Sequence, residues 1–528
     1  MTLSINSMRA RADVEALDAI FTTANQCHLP GIAVGVAIGD VPVYRRGFGL
    51  ASMELPVNLG PTTRMRIASV TKHFTALAFM ILQEQGLCSL DDAIGRHVPD
   101  LHDATRDVTV RQLMGHTSGI RDLYAITMLL HGTGRPVSDR EMIAYYRTID
   151  DRDFEPGTNW SYNNGGYVLL TAAIEQIAGE PFEEVLRKRI FEPVGMHDSL
   201  LRRWDDDFVP NSATLHMRNQ SGEYTRDYMG MELTGAGGIA STVDDMLRWM
   251  KHMRSPVVGS AQTWQTMREP HRLGNGFVTG YGLGLAMGRY RGVETVSHNG
   301  GVLGGSAQMI SVPALALDVI VMTNGVDASC AQLANRVIDA CVEGLEAELE
   351  PGVWDAKSTL YRSPGSGRVI QLSPQGGTQT LSIDGGPFIP VAPDQAGALR
   401  FPVTMDFIRQ WLCLDESGAT FFDFGNADRM DAFVPCTASI GSHVGRYVCP
   451  ALGASIDVRD TSDGPMLSTC GRHGQAHYLL SPLRSDIWRA ETCGPFSLLG
   501  AMLTFAEDGR SLAFTAGRLN RLAFRRED

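Results

Sequence analysis

The chain has 528 residues, a net charge of −13 from 46 Lys and Arg against 59 Asp and Glu, and 44% hydrophobic residues. At roughly 150 residues per domain this length predicts several domains, and the composition excludes a disordered, fibrous or membrane-embedded protein. The acidic balance, without basic runs that alternate with aromatic residues, predicts no nucleic-acid partner and no membrane partner.

The N-terminal segment carries Arg9, Arg11, Asp13 and Glu15 where a secretory signal would need an apolar stretch. We therefore expect a cytoplasmic protein. Its nine cysteines are scattered and show no CxxC or CxxH spacing. Free thiols in a reducing compartment fit this pattern, and neither a metal site nor an organic cofactor is expected.

The first predicted elements are a helix, a hairpin and a second helix. Apolar residues recur at helical spacing over about 8–26, and the β-rich runs GIAVGVAIG and VPVYRRGFG follow as a hairpin. The next run, RIASVTKHFTALAFMIL, is apolar on nearly every side until Gly86, which is typical of a buried helix. Ser69 and Lys72 would then lie one turn apart on the same face at the helix N-terminus.

The remainder of the first half predicts an α/β (α+β) unit over residues 1–345. A Gly-rich turn leads into a helix that Ser241 or Thr242 caps, and a last helix covers CAQLANRVIDACVEGLEAEL. Between these two helices, YGLGLAMGRY, GVETVSHNGG, GSAQMISVP and LDVIVMTNG are predicted strands. Other helical stretches lie near 108–114, 139–147, 164–179 and 181–191.

From Pro351 onward the pattern changes to short β-like runs with frequent Gly, Pro and Asp. Strands at this spacing are typical of small antiparallel barrels or sandwiches. GVWDAKSTLY and GRYVCPALGA begin alike and indicate a weak repeat of about 93 residues. We predict two similar antiparallel β-barrel domains, at 351–438 and 439–528.

Three short motifs could carry chemistry. Ser69 and Lys72 form S-x-x-K, where the positive end of the helix dipole and burial would both favour a neutral lysine base. Tyr162 and Asn164 form Y-x-N in a loop that leads into a helix, and His298 begins His-Asn-Gly on a Gly-bordered strand. Each motif alone is near chance and has a structural explanation: a common tetrapeptide, a tyrosine packed in a turn, a buried histidine.

In this order and in these settings, the three motifs resemble the serine penicillin-recognising superfamily, which includes class C β-lactamases, DD-peptidases and D-stereospecific aminopeptidases. The resemblance extends over most of residues 30–345. It includes the stretches RIASVTKHFT, LMGHTSGIRD, EPGTNWSYNNGGYVLL, FEEVLRKRIFEPVGM, GAGGIASTVDDM and the HNGG turn. It implies a catalytic domain with the β-lactamase/penicillin-binding-protein-like fold.

The resemblance also implies a role for each motif in an acyl-enzyme mechanism. Ser69 Oγ would attack a carbonyl carbon, Lys72 and Tyr162 would carry its proton to the leaving group, and Asn164 would contact the substrate and hold Lys72. The backbone N–H groups of Ser69 and Gly301 would stabilise the oxyanion.

His298 is the most informative departure from the β-lactamases, which usually have the lysine of a K-T-G motif at this position. A neutral histidine is a weaker anchor for a substrate carboxylate than a lysine. Substrates that need no terminal carboxylate therefore become the expectation, with Gly300 and Gly301 beside His298 in the binding strand.

A His-x-Gly strand followed by two C-terminal barrels resembles the D-aminopeptidases, which release an N-terminal D-residue such as D-alanine from short peptides, amides and esters. In that family a loop of the last barrel reaches into the catalytic cleft. The corresponding loop here is ETCGPFSLLGA over 491–501, whose acid, Glu491, is the candidate partner for a substrate ammonium group. A solvated charge at a strand end explains Glu491 equally well.

The expected function is thus a metal-independent serine hydrolase that acts on a small peptide or amide substrate. A carboxylesterase or broad amidase would share every catalytic residue and differ in pocket shape. A β-lactamase or DD-carboxypeptidase is disfavoured by His298, and a non-catalytic binding protein is disfavoured by the intact Ser69, Lys72 and Tyr162. Oligomeric state is left open, with a homodimer as one option.

Overall fold

The computed structural model describes residues 8–132, 136–219, 221–226, 228–347, 358–401, 409–415, 418–493 and 500–527. Within these ranges the helices are α1 Val14–Phe21, α2 Lys72–Glu84, α3 Asp103–Arg106, α4 Val110–Met114, α5 Leu123–His131, α6 Asp139–Ile143, α7 Asn164–Ala178, α8 Phe182–Leu186, α9 Glu192–Val194, α10 Val243–Arg254, α11 Ala261–Arg268 and α12 Cys330–Cys341. None of the described helices is long and apolar enough to cross a bilayer.

A six-stranded antiparallel sheet forms the centre of the first unit. Its strands are β1 Ile32–Ile38, β2 Val41–Phe48, β3 Ala286–Tyr290, β4 Val293–Val302, β5 Gly305–Val312 and β6 Leu317–Thr323, and their order in the sheet is β3-β4-β5-β6-β1-β2. Shorter strands lie at Arg9–Ala10, Leu50–Ser52, Val57–Asn58, Met65–Arg66, Leu200–Leu201, Met217–Arg218, Tyr224–Thr225, Ile239–Ser241 and Val342–Glu343.

Helices cover both faces of this sheet. Residues of α1 and α12 pack with Val34, Val36 and Val319 in one hydrophobic cluster. On the opposite face, a side chain at Gly35 would collide with Val243 of α10, so this helix lies directly on β1. Because both faces are buried, β1 is an almost continuous apolar run rather than an alternating one.

The central helix α2 lies within the helical half, as its sequence predicts. Ten of its thirteen residues are buried, and it contacts α7, α8 and α11. Ser69 was expected at the N-terminus of this helix, but α2 begins at Lys72 and Ser69 lies in a preceding 3₁₀ turn, Ala68–Thr71. Ala68 adopts a positive φ of 48°, and this turn brings Ser69 to the surface of the cleft.

Other predicted helix ends also differ from the structure. The first helix is shorter than predicted because the Asp13 side chain accepts from Ala16 N and starts α1 at Val14. Arg9–Ala10 and Val342–Glu343 instead pair as antiparallel strands, which ends the last predicted helix at Cys341. The helix predicted over 139–147 is α6 followed by a 3₁₀ turn, Ala144–Arg147.

The second unit is a nine-stranded antiparallel sheet. Its end strands, β10 and β11, are separated along the chain by Val391 alone, so the sheet curls until its two edges almost meet. The strands are β7 Thr359–Arg362, β8 Val369–Gln375, β9 Thr378–Ile383, β10 Ile389–Pro390, β11 Ala392–Pro393, β12 Leu399–Arg400, β13 Gln410–Asp415, β14 Gly418–Asp423 and β15 Asn426–Phe433.

The third unit is a closed eight-stranded barrel, in which the first strand pairs with the last through Tyr447 and Arg526. Its strands are β16 Gly445–Cys449, β17 Ala454–Thr461, β18 Gly464–Cys470, β19 Gln475–Pro482, β20 Ile487–Thr492, β21 Ala501–Phe505, β22 Ser511–Ala516 and β23 Leu519–Arg526. The expected class, an α/β unit followed by two antiparallel β units, is confirmed.

The barrel packs directly on the helical half. The Tyr478 hydroxyl of β19 donates to the Leu129 carbonyl of α5 at 2.7 Å, and Thr469 of β18 donates to the same carbonyl at 3.1 Å. Apolar residues of both units belong to one hydrophobic cluster. The barrel is therefore fixed next to the segment that follows the HTSGIRD loop.

Candidate active site

Four chain segments meet beside Ser69. The 3₁₀ turn carries Ser69, and α2 begins with Lys72. Tyr162 lies in the loop before α7, Asn164 is the first residue of that helix, and strand β4 carries His298. Lys72 is hydrogen-bonded to two other predicted residues, Ser69 and Asn164. The structure thus brings together residues that are far apart in the sequence.

Lys72 is the centre of the site and is completely buried. Its Nζ lies 2.8 Å from Asn164 Oδ1, 2.6 Å from the Ala236 carbonyl oxygen and 3.3 Å from Ser69 Oγ. The amide oxygen and the carbonyl oxygen can only accept, so they take two N–H groups. If the amine is neutral, its remaining position is a lone pair that faces the Ser69 hydroxyl.

The surroundings favour this neutral form. Burial lowers the pKa of Lys72 well below its usual range, the positive charge of Arg518 lowers it further, and the negative charge of Asp122 opposes both. A buried lysine with a depressed pKa can accept a proton near neutral pH. Lys72 is therefore suited to be the general base for Ser69.

Tyr162 covers Lys72 on the cleft side, with Lys72 Nζ 4.8 Å from the centre of its ring. The Tyr162 hydroxyl is buried without a hydrogen-bond partner among the described residues. Burial raises the pKa of Tyr162, whereas Arg518 and Ser69 lower it. A phenol in this position can relay a proton between Ser69 and a bound group.

The loop HTSGIRD positions the tyrosine segment through backbone contacts, a role that sequence reasoning left unassigned. His116 Nδ1 accepts from Asn163 N at 3.1 Å, and its ring centre lies 4.3 Å from that of Tyr162. Asp122 Oδ1 accepts from Asn164 N at 3.1 Å and from Gly165 N at 3.2 Å. The only sequence signal for this role is the family resemblance of LMGHTSGIRD.

His298 is buried and fixed by two hydrogen bonds. Its Nδ1 lies 2.6 Å from the Asn299 carbonyl oxygen, which can only accept, so Nδ1 carries the proton and Nε2 accepts from the Tyr281 hydroxyl at 2.7 Å. Burial, with a further contribution from Lys72, lowers the pKa of His298 to about 3. The histidine is neutral at physiological pH, and Tyr281 is an additional member of the site.

Gly300 allows strand β4 to lie directly against the serine turn. A Cβ at this position would be 2.2 Å from the Ile67 carbonyl oxygen and 3.0 Å from Ser69 N. At Gly301 a Cβ would meet no atom within 4 Å, and this residue is exposed. The open space beside Gly301, next to the serine turn, is where a substrate carbonyl could enter.

Glu491 lies at the end of β20, with its side chain 64% exposed and its carboxylate 3.9 Å from Arg489. The next part of its loop, residues 494–499, is outside the described residues. No contact between Glu491 and Ser69, Lys72 or Tyr162 is present in the described part of the chain. Its role as an ammonium partner stays a prediction.

A different segment of the barrel does reach the cleft. Arg518 lies between β22 and β23, and its guanidinium carbon is 4.6 Å from the centre of the Tyr162 ring. Its Nη1 lies 3.6 Å from Asp122 Oδ2. The sequence around Arg518, AGRLN, contains no motif that could have revealed this position.

The sequence is similar to a known protein family and to two D-aminopeptidases. The Beta-lactamase family model matches residues 12–341. A D-aminopeptidase of Gluconobacter oxydans is 28% identical over 378 residues, which cover 70% of this chain and 69% of that protein. A D-aminopeptidase of Brucella anthropi is 28% identical over 326 residues, which cover 60% of each chain.

Solved structures share the fold at low sequence identity. The octameric penicillin-binding protein homologue from Pyrococcus abyssi has a TM-score of 0.55 at 22% identity and covers 97% of this chain and 100% of its own. The D-amino acid amidase from Ochrobactrum anthropi SV3, complexed with L-phenylalanine amide, has a TM-score of 0.54 at 23% identity and covers 62% of this chain and 97% of its own.

The neutral lysine predicts a reactive serine at neutral pH. A fluorophosphonate probe should label Ser69, and the rate should rise with pH as Lys72 loses its proton, with a midpoint well below the usual lysine range. Lys72→Met should slow labelling about 100-fold or more, because general-base catalysis contributes at least that much. Labelling is followed by gel fluorescence, and its site by mass spectrometry.

The exposed Lys251 of α10 provides the matched control, since Lys251→Met should label like the unmodified protein. Equal labelling of Lys72→Met and the control would show that Lys72 is not the base.

The two strand glycines make a second, steric prediction. Gly300→Ala places a methyl group against Ile67 and Ser69 and should reduce labelling of Ser69 by at least about tenfold, since a displacement near 1 Å at a reacting group costs this much or more. Gly301→Ala adds the same group in open space, retains the backbone N–H and should have a clearly smaller effect. Labelling rates of the two variants, compared at equal folded fraction, test this; a larger loss for Gly301→Ala would contradict it.

Proposed function

The chain belongs to the beta-lactamase family, and from this premise we propose that it is a serine hydrolase that releases an N-terminal D-amino acid from short peptides, amides and esters. The observation that carries the hydrolase is Lys72, whose buried Nζ lies against Ser69 Oγ with its other two positions occupied. The D-stereospecific activity is supported by the two relatives named as D-aminopeptidases.

In the proposed mechanism, Ser69 Oγ attacks the carbonyl carbon of the substrate while its proton passes to Lys72 Nζ. The oxyanion that forms is stabilised by the N–H groups of Ser69 and Gly301, where the open space beside Gly301 gives the carbonyl access. Tyr162 then donates its hydroxyl proton to the leaving nitrogen or oxygen and takes a proton back from Lys72, so that both residues return to their starting forms. Water hydrolyses the resulting acyl-enzyme, with the same groups acting in reverse.

The side chains account for this reaction by themselves, so we propose that it requires neither a metal ion nor an organic cofactor. Asn164 holds Lys72 at 2.8 Å and keeps the amine directed toward Ser69. His298 is neutral and engaged with Tyr281, so it offers no cation for a substrate carboxylate. These features favour a substrate whose recognised group is at its amino end.

A carboxylesterase or broad amidase is the second candidate, and Arg518 is the observation that favours it. A guanidinium 4.6 Å from the Tyr162 ring would repel a substrate ammonium unless a carboxylate compensates for it. Asp122 Oδ2, at 3.6 Å from this guanidinium, provides part of that compensation. Neutral acyl groups would experience no such repulsion.

D-Alanine p-nitroanilide separates the two candidates. We expect its hydrolysis, measured by absorbance of released p-nitroaniline, to exceed that of the L-alanine anilide. Ser69→Ala should lower kcat by about 10³-fold or more, because loss of a nucleophile removes the covalent route. Ser442→Ala, an exposed serine of the last unit, should retain full activity.

If neither anilide is cleaved while p-nitrophenyl butyrate is, the carboxylesterase is supported instead. Cleavage of a chromogenic cephalosporin, with no cleavage of the anilides or of p-nitrophenyl butyrate, would indicate a β-lactamase.

Glu491 is tested by its effect on substrates with and without an ammonium group. If Glu491 binds this group, Glu491→Gln should raise KM for D-alanine p-nitroanilide about tenfold, the loss expected for a charged hydrogen bond. KM for p-nitrophenyl butyrate, which lacks the ammonium, should stay the same. The exposed Glu507 is the control, as Glu507→Gln should change neither value. An unchanged KM for the anilide would exclude Glu491 as the partner.

A further inference from the structure

Among the described residues of the last barrel, the hairpin between β22 and β23 contacts the catalytic residues. Gly517 makes the turn with a φ of 48°, and Arg518 then extends over the face of Tyr162. The guanidinium lies within cation–π distance of the ring and faces the carboxylate of Asp122. The Arg518 side chain is 46% exposed, whereas that of Asp122 is 1% exposed.

Buried contacts outside the site fix this hairpin on the catalytic unit. The Asn520 carbonyl oxygen accepts from Arg121 Nη1, and Asn520 N donates to Asp153 Oδ1 at 2.8 Å. Arg121 and Asp153 form an ion pair at 2.5 Å, with side chains only 4% and 7% exposed. Arg518 is two residues away from this anchor, so its charge has a defined position relative to Tyr162.

Few groups around Lys72 can carry charge near neutral pH. Among the described residues, the titratable and charged groups that face it are Tyr162, Tyr167, His116, His298, Asp122 and Arg518. Burial raises the pKa of both tyrosines and lowers that of both histidines, so these four are neutral. Arg518 and Asp122 remain as the charged pair.

The two charges of this pair act on Lys72 in opposite directions. A positive charge nearby disfavours protonation of the amine, and a negative charge favours it. Asp122 is required by the fold, because its Oδ1 accepts from the backbone of Asn164 and Gly165 at the start of α7. Without a counter-charge, this buried carboxylate would stabilise a protonated lysine that could not take the serine proton.

We propose that Arg518 is a positioning residue of the catalytic centre, whose charge offsets Asp122 and holds Lys72 in its neutral, proton-accepting form. The last barrel is thereby an electrostatic component of the active site, because its hairpin supplies this charge. The proposal rests on the serine mechanism proposed above, but not on the identity of the substrate.

The test is the pH profile of fluorophosphonate labelling at Ser69 in the full-length chain. Arg518→Gln should shift the midpoint of the rising limb to higher pH by about one unit, the size of shift that a nearby charge produces. Labelling should fall most, by up to about tenfold, at pH values below the original midpoint, and it should recover at alkaline pH. Arg518→Lys, which retains the charge, should restore most of the original midpoint.

Two further variants check the sign and the location of the effect. Asp122→Asn keeps an oxygen for the α7 backbone and should move the midpoint to lower pH. Arg525→Gln removes an exposed charge from β23 of the same barrel and should leave the midpoint unchanged. Thermal unfolding of each variant confirms that the folded protein is compared.

An equal loss of labelling at every pH in Arg518→Gln, with no shift and no rescue by Arg518→Lys, would overturn the proposal and indicate a packing role. Failure to cleave D-alanine p-nitroanilide would overturn the D-aminopeptidase proposal. The role of Arg518 would still be tested by the labelling profile, which does not use this substrate. A protein that is not labelled at Ser69 at any pH would overturn the serine mechanism and this inference together.

Discussion

The catalytic centre is organised around one buried amine, that of Lys72. An isolated ammonium group in the protein interior is so costly that the neutral form is favoured instead. A neutral amine has two N–H donors and one lone pair, and the site provides two obligate acceptors, Asn164 Oδ1 and the Ala236 carbonyl oxygen. The lone pair is thereby left for Ser69. Burial and hydrogen bonding together convert an ordinary lysine into a base aimed at one hydroxyl.

Two structural features bring Ser69 and Asn164 to Lys72. The 3₁₀ turn before α2, with a positive φ at Ala68, places Ser69 beside the amine, and Gly300, which has no side chain, lets β4 lie against this turn. Asn164 arrives at the start of α7, which Asp122 fixes through two backbone N–H groups. Together these contacts restrict the positions that Ser69 and Asn164 can take relative to Lys72. The site is preorganised because rigid elements hold every reacting group.

Local sequence patterns predicted the helices whose formation depends on neighbouring residues. The apolar run after Ser69 predicted a buried α2. A cap at Ser241 or Thr242 was predicted for α10, and Thr242 is the cap, because periodicity and capping act within a few residues. Helix ends were less predictable: Cys341 ends α12 since the next residues pair with Arg9–Ala10, a partner far away in the chain. The contact of Ala236 with Lys72 uses a backbone carbonyl, which no side-chain motif can encode.

Arg518 shows why the charge of a cleft cannot be deduced from one motif. Replacing a strand lysine by His298 suggests a site without a second cation, and the buried, neutral histidine agrees with that reasoning for the strand itself. The fold nevertheless brings a guanidinium to Tyr162 from the last barrel. A cation on the strand would face the substrate, whereas Arg518 is opposed by Asp122 at 3.6 Å and lies on the ring that covers Lys72. Because Arg518 is paired with a buried carboxylate and lies on the ring that covers a buried amine, the proposed effect of its charge is on the protonation of Lys72.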